Sequence, residues 1–254
     1  MDSFGLEGKR ALITGGSRGI GFGIARAMVA AGADVALIAR GKEGLHDAET
    51  TLAASGRRIW TYPFDASRTG EIGTLYDTIV ADTGGIDILV NNAGTARRNP
   101  AQDVTDEEWS SVITINLTAL FKFCQAFGRE RIGSGRSGKI VNIASIMSEA
   151  ARVNNTPYAA SKGGVRQLTK ALAVDWAKHR INVNALGPGF IKTELNRPLW
   201  EDPEFDRWVR DRTPMGRWGS PEDLGNIAVF LASEASDFIT GQIIYADGGW
   251  LSSF

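Results

Sequence analysis

The chain has 254 residues, 43% hydrophobic and 22% charged, with a formal net charge of −1. That size and composition suit one globular domain able to bury a core without covalent staples, and the balanced charge argues against a broad nucleic-acid-binding face. The single cysteine, Cys124, excludes an intramolecular disulfide and a cysteine-rich zinc site and fits a reducing, cytoplasmic setting.

In chain order, residues 1–9 lack the charged-then-apolar pattern of a secretory leader. Residues 10–14 read as a strand, 20–31 as a helix stopping at Gly32, 35–39 as a strand and 42–55 as a helix. Residues 58–63 form a third strand, 72–82 a helix and 86–90 a fourth strand. A long helix covers 105–129, a fifth strand 139–144, a helix 158–178, a sixth strand 181–185 and a seventh 242–245. Strands separated by helices of this length predict parallel pairing through crossovers. Several strands are apolar at nearly every position, as a sheet covered on both faces requires. No run of ~18 uninterrupted apolar residues predicts a membrane span. Residues 187–219 are the least regular stretch, rich in Pro, Arg and Trp. They read as a lid over a binding site, or as a surface elaboration or subunit contact.

The first strand runs into Thr14-Gly15-Gly16-Ser17-Arg18-Gly19-Ile20-Gly21 and then a helix. Glycine allows the sharp turn and close backbone approach, and a helix N-terminus offers free N–H groups to a pyrophosphate. The spacing is G-x-x-x-G-x-G and not G-x-G-x-x-G. The second strand ends at Ala39-Arg40, with no carboxylate to hold ribose hydroxyls or repel a 2′-phosphate. Arg40, with Arg18 from the glycine loop, could pair with that phosphate through planar guanidinium forks. The cofactor predicted is NADP(H) over NAD(H), the alternative being two solvated surface charges.

Tyr158 and Lys162 lie four apart on one helix face. An adjacent ammonium would lower the phenol's pKa and make it a proton shuttle at neutral pH. Ser145 follows the fifth strand at its carboxyl end, where open α/β sheets bind ligands. On the 105–129 helix, Trp109, Val112, Ile113, Leu117, Leu120 and Phe127 trace an apolar face. Asn116 occupies a position of that face, either as a core amide tied to backbone or as a group ordering a water near Lys162.

With these residues in this order, the chain resembles the short-chain dehydrogenase/reductase family over almost its whole length. The motifs are Thr14-Gly15-x-x-x-Gly19-x-Gly21, Asn91-Asn92-Ala93-Gly94, Asn116, Ser145, Tyr158-x-x-x-Lys162 and Pro188-Gly189. The resemblance implies an α/β, doubly wound, seven-stranded parallel (Rossmann-type) sheet in a single domain, and a homotetramer or homodimer. It implies that Tyr158 is the catalytic acid or base, that Lys162 holds the nicotinamide ribose and lowers the Tyr158 pKa, that Ser145 polarises the substrate carbonyl, and that Asn116 supports a proton relay. It implies cofactor contacts from Gly15, Ser17, Arg18, Gly19, Ile20 and Gly21, and from Arg40. Further contacts are implied from Asp65 and Ala66 at the adenine, Asn92, Ala93 and Gly94 near the adenine ribose, and Pro188, Gly189, Ile191 and Thr193 at the nicotinamide.

The stretches 91–98, 141–145, 212–219 and 247–250 look like the sugar-acid branch of that family, such as gluconate 5-dehydrogenases and 2-deoxygluconate 3-dehydrogenases. Arg97, Arg98 and Arg152 follow segments that should rim the site. Arg98 and Arg152 are the candidates to clamp a carboxylate, the other reading being solvated or subunit-contact charges. Trp200, Phe205, Trp208 and Trp218 could wall a pocket or serve core and interface, which keeps a small apolar ketone or an oxoacyl thioester open as substrate. A non-catalytic NADP(H) sensor would share the scaffold, and a methyltransferase would not need the Ser145, Tyr158 and Lys162 set. His46 and His179 lie far from these motifs, so no histidine base or metal site is expected. Cys124 should be a small buried residue, and the apolar ending at 250–254 is expected to pack on a neighbouring subunit.

Overall fold

The computed structural model describes residues 3–253. Seven parallel strands, β1 (Arg10–Thr14), β2 (Asp34–Ala39), β3 (Ile59–Pro63), β4 (Ile88–Asn91), β5 (Gly138–Ile143), β6 (Ile181–Pro188) and β7 (Ile243–Ala246), form one sheet in the order β3-β2-β1-β4-β5-β6-β7. The apolar runs demanded a sheet covered on both faces, and it is. On one face α1 (Gly19–Ala30), α2 (Lys42–Ala53) and α9 (Pro221–Ala232) bury Ile24, Met28, Leu45 and Leu224. On the other, α3 (Ile72–Thr83), α5 (Leu120–Ser134) and α6 (Thr156–Trp176) bury Ile79, Phe123, Phe127, Val165 and Leu172. The strand order reverses between β1 and β4, so a crevice opens at their carboxyl ends.

The helix expected over 105–129 is broken in register. A capping box between Thr105 and Glu108 starts α4 (Asp106–Ile113), and a π-helical segment, Thr114–Ala119, joins it to α5. The wider π turn shifts the facing of α4 relative to α5. Trp109, expected on the core face, is therefore 43% exposed, while Val112, Asn116, Phe123 and Phe127 are buried. The whole run Asp106–Ser134 is long and apolar enough to cross a bilayer, at mean hydropathy 1.2. Its buried face lies against the sheet, as expected of a core helix.

Residues 187–219 are more regular than their composition predicts. Asp202 accepts hydrogen bonds from the backbone N–H of Glu204 and Phe205, and Pro203 fills the first turn, so α8 (Pro203–Arg212) follows a short α7 (Arg197–Trp200). At the far end of the sheet Arg131, 1% exposed, pairs with Asp87 at 3.1 Å and with Glu130 at 3.1 Å.

Candidate active site

The crevice is laced at its base by Thr14. Its hydroxyl accepts from the N–H of Asn92 and of Ala93, each at 3.0 Å, fixing the end of β4 to the end of β1. The Asn92 amide donates to the carbonyls of Thr14 and Gly15, both at 3.0 Å. Asn92 thus braces the glycine loop. Gly15 (φ +64°) and Gly19 (φ +56°) take left-handed backbone. A Cβ on Gly21 would lie 2.2 Å from the Gly15 carbonyl oxygen. No acidic side chain enters the first turn of α1, and its N-cap, Arg18, makes no side-chain cap bond. The N–H groups of that turn are thereby left for an anion.

Arg18 and Arg40 are both exposed beside this loop, and their side chains form no hydrogen bond or ion pair among the described residues. Ser17 lies next to Gly44 at the start of α2. Asp65, beyond β3, accepts from the Ser67 N–H at 2.9 Å. That bond first, and then the nearby Arg40, hold its carboxyl below the usual range. Ala66 beside it is buried. On the opposite wall, β6 ends at Pro188 and the segment after it carries Gly189, Ile191 and Thr193. It is tied to Gly219 by backbone bonds from Gly219 N–H to Phe190 and from Lys192 N–H to Gly219. The Thr193 methyl comes within 3.5 Å of where a Gly19 Cβ would stand, so the two walls meet over the glycine loop.

At the carboxyl end of β5, Ser145 accepts from the Met147 N–H at 3.1 Å, which leaves its own proton to give. The Ser148 hydroxyl donates to the Lys162 carbonyl at 2.9 Å and docks this turn onto α6. Pro157 opens α6, and Tyr158 and Lys162 share its inward face. Ser145 and Tyr158 are within hydrogen-bonding reach. Asn116 is fully buried in the π segment. Its amide accepts from the Thr95 N–H at 2.8 Å and donates to the Thr95 carbonyl and to Ser161. These bonds tie the amide to backbone and pin the loop after Gly94 to α6.

Burial raises the Tyr158 phenol, opposed by the Ser145 hydrogen bond and by the Arg98 cation. The Lys162 ammonium, 5% exposed, donates to the Ile143 carbonyl at 2.6 Å and stands 5.6 Å from the Tyr158 ring centroid. Burial brings its own pKa down to about 8.

Arg98 interacts electrostatically with Tyr158, and Arg152 with Arg98. Partial burial, and then the charge of Arg98, lower the Arg152 pKa; burial lowers that of Arg98, opposed by Tyr158. Arg97 turns away, donating to Thr95 and Ala96. Phe190 sits among Phe205, Trp208, Trp218 and Trp250, with ring centroids 5.6–5.9 Å away. Trp200 instead donates to the Thr193 carbonyl. Trp250, expected at a subunit contact, is buried in its own chain; Phe254, from the same expectation, lies outside the described residues. Cys124 is buried as expected, though its neighbours are the amides of Asn91 and Asn142, and burial pushes its thiol up to about 12. Sequence reasoning quoted Thr14 in the glycine motif without giving its hydroxyl a role, and assigned none to Ser148 or Ser161. The one available signal was a hydroxyl closing an apolar strand directly before Gly15.

Residues 15–251 match the family described as enoyl-(acyl carrier protein) reductase. A gluconate 5-dehydrogenase of Gluconobacter oxydans is 44% identical over 248 residues, 98% of this chain and 96% of that protein. The chain belongs to the short-chain dehydrogenase/reductase family. As a short-chain dehydrogenase/reductase it is an oxidoreductase acting on CH–OH groups. A 2-dehydro-3-deoxy-D-gluconate 5-dehydrogenase of Escherichia coli is 40% identical, with 99% of each chain covered. The crystal structure of a gluconate 5-dehydrogenase from Burkholderia cenocepacia, in complex with NADP and tartrate, is similar to this short-chain dehydrogenase/reductase at a TM-score of 0.96. The two are 43% identical, over 100% of this chain and 99% of that one.

Proposed function

We propose that this chain interconverts a secondary alcohol and a ketone on a sugar acid of the gluconate/keto-gluconate type, with NADP(H) as cofactor. The observation that carries the substrate class is a pair of guanidinium groups, Arg98 near Tyr158 and Arg152 near Arg98. Two cations that form no hydrogen bond or ion pair among the described residues, one of them near the phenol, suit a substrate that brings a carboxylate. An oxoacyl thioester or simple ketone brings none. Ser145, Tyr158 and Lys162 stand in one cluster, which supports catalysis over a purely sensing role.

The glycine loop and the first turn of α1 would hold the pyrophosphate, with Arg18 and Arg40 on the 2′-phosphate. Ser17, Ile20, Asp65, Ala66, Asn92, Ala93 and Gly94 would line the adenosine side, and Pro188, Gly189, Ile191 and Thr193 the nicotinamide side. When bound, NADP(H) supplies or accepts the hydride. In reduction, the Tyr158 hydroxyl gives its proton to the carbonyl oxygen while Ser145 donates a hydrogen bond to the same oxygen. In oxidation the Tyr158 phenolate takes the proton. Lys162 supports the ribose and, through Ile143, keeps α6 in place against β5. Asn116 positions the loop that carries Arg98. Residues 187–219 cover the substrate.

The same reading includes a cytoplasmic homotetramer or homodimer, supported by the apolar groove of Leu117, Phe121 and Leu168 between α5 and α6. Light scattering that returned a monomer would remove the assembly. The substrate class is tested with NADPH and a panel of 5-keto-gluconate, 2-keto-gluconate, a neutral diketone and an oxoacyl thioester. A keto-gluconate should give the highest kcat/KM; preference for the thioester would overturn the reading.

A further inference from the structure

Arg152 carries a positive charge beside a second one, Arg98, and among the described residues it forms no hydrogen bond or ion pair. What faces it is an aromatic ring. The Arg152 guanidinium carbon lies 5.0 Å from the Phe205 ring centroid. A ring's negative face holds a cation by its quadrupole, and more firmly where water is partly excluded. Phe205 is itself held. Its centroid lies 5.3 Å from that of Trp208, 5.9 Å from Phe190 and 6.2 Å from Trp218. Its backbone N–H is bonded by the Asp202 cap at the start of α8. Phe205 therefore faces the Arg152 guanidinium from a rigid support.

We propose that Phe205 is a positioning residue that sets the specificity of this site for acidic substrates, by holding the Arg152 guanidinium in place to receive a substrate carboxylate. The proposal rests on the carboxylate reading above. Through Phe190, the same ring joins the clamp to the segment that carries Gly189 and Ile191. The anion clamp and the wall opposite the glycine loop are therefore one packed unit.

The test compares the parent enzyme with Phe205→Leu, Phe205→Tyr and a protein carrying pentafluorophenylalanine at 205, which keeps the ring's shape and reverses its quadrupole. With 5-keto-gluconate and NADPH, the leucine and fluorinated proteins should raise the substrate KM about 5- to 30-fold. They should leave kcat and the NADPH KM within about twofold. Tyrosine should restore the parent KM. A parent-like KM in the fluorinated protein overturns the proposal, as does a joint loss in kcat and NADPH KM, which marks only a loosened lid. The fluorinated protein decides the matter if Phe205→Leu does not fold. Arg152→Ala separates the two levels. If it leaves the KM unmoved, the carboxylate reading itself is wrong. If it raises the KM while the fluorinated ring does not, Phe205 alone is misassigned.

Discussion

The Lys162 ammonium donates to the Ile143 carbonyl at 2.6 Å, tying the helix that carries Tyr158 to the strand that presents Ser145. That bond is formed in a buried place, and burial lowers the lysine from 10.5 to about 8. Below pH 8 the folded and unfolded chains both carry the proton, and the folded one bears the full cost, about 3 kcal/mol for such a shift. The cost fades as the pH rises from 8 to 10.5, where only the unfolded chain still binds the proton. Lys162→Met should therefore abolish turnover yet raise Tm by about 2–5 °C at pH 7, after subtracting the lost hydrogen bond. The gain should shrink toward pH 10. Calorimetry at both pH values checks it.

Tyr158 titrates above its ordinary value because burial outweighs Ser145 and Arg98. A protonated phenol is the form that reduction needs, so kcat/KM for the ketone should stay flat through neutral pH and fall only in alkali. Oxidation needs the phenolate and should rise with pH over the same range. Arg98→Ala removes a cation that favours the phenolate, so both alkaline limbs should move to higher pH. Profiles of kcat/KM in each direction, parent against variant, read this directly.

Arg40 follows β2 and, among the described residues, its side chain forms no hydrogen bond or ion pair at the proposed 2′-phosphate corner. Arg40→Asp exchanges a charge-assisted hydrogen bond for a repulsive carboxylate. The KM for NADPH should rise about 10- to 100-fold, and that for NADH should fall or hold. Initial rates with both cofactors decide it.

Far from the site, Arg131 depends on Asp87 and Glu130 for its charge. Asp87 also accepts from the Arg10 N–H at 2.9 Å. Asp87→Ala would leave a buried guanidinium half-compensated, and should cost about 3–5 kcal/mol. Urea unfolding should show that loss, with kcat of the native fraction unchanged.

Much of this was legible in the chain itself, and the limits have physical causes. Apolar runs such as Leu12-Ile13 and Leu89-Val90 report double burial locally, so all seven strands could be read. The Gly15–Gly21 loop likewise carries its own backbone demand. The π segment around Asn116 leaves no mark on a 3.6-residue period, and Trp109 was placed on the wrong face for that reason. Asp202-Pro203 did signal the start of α8, but the surrounding Arg and Trp residues hid it. Spacing put Lys162 beside Tyr158 correctly. It could not show that a carbonyl 19 residues earlier, at Ile143, takes the ammonium, or that Arg98 also acts on the phenol.

The most direct measurement is the rate of NADPH consumption with 5-keto-gluconate by the parent enzyme and by Tyr158→Phe, with cofactor binding followed in parallel by nicotinamide fluorescence. The expected result is turnover by the parent, a loss of about three orders of magnitude or more in the variant, and unchanged NADPH binding. Parent-like turnover by Tyr158→Phe would contradict the proton-transfer chemistry at the centre of this account.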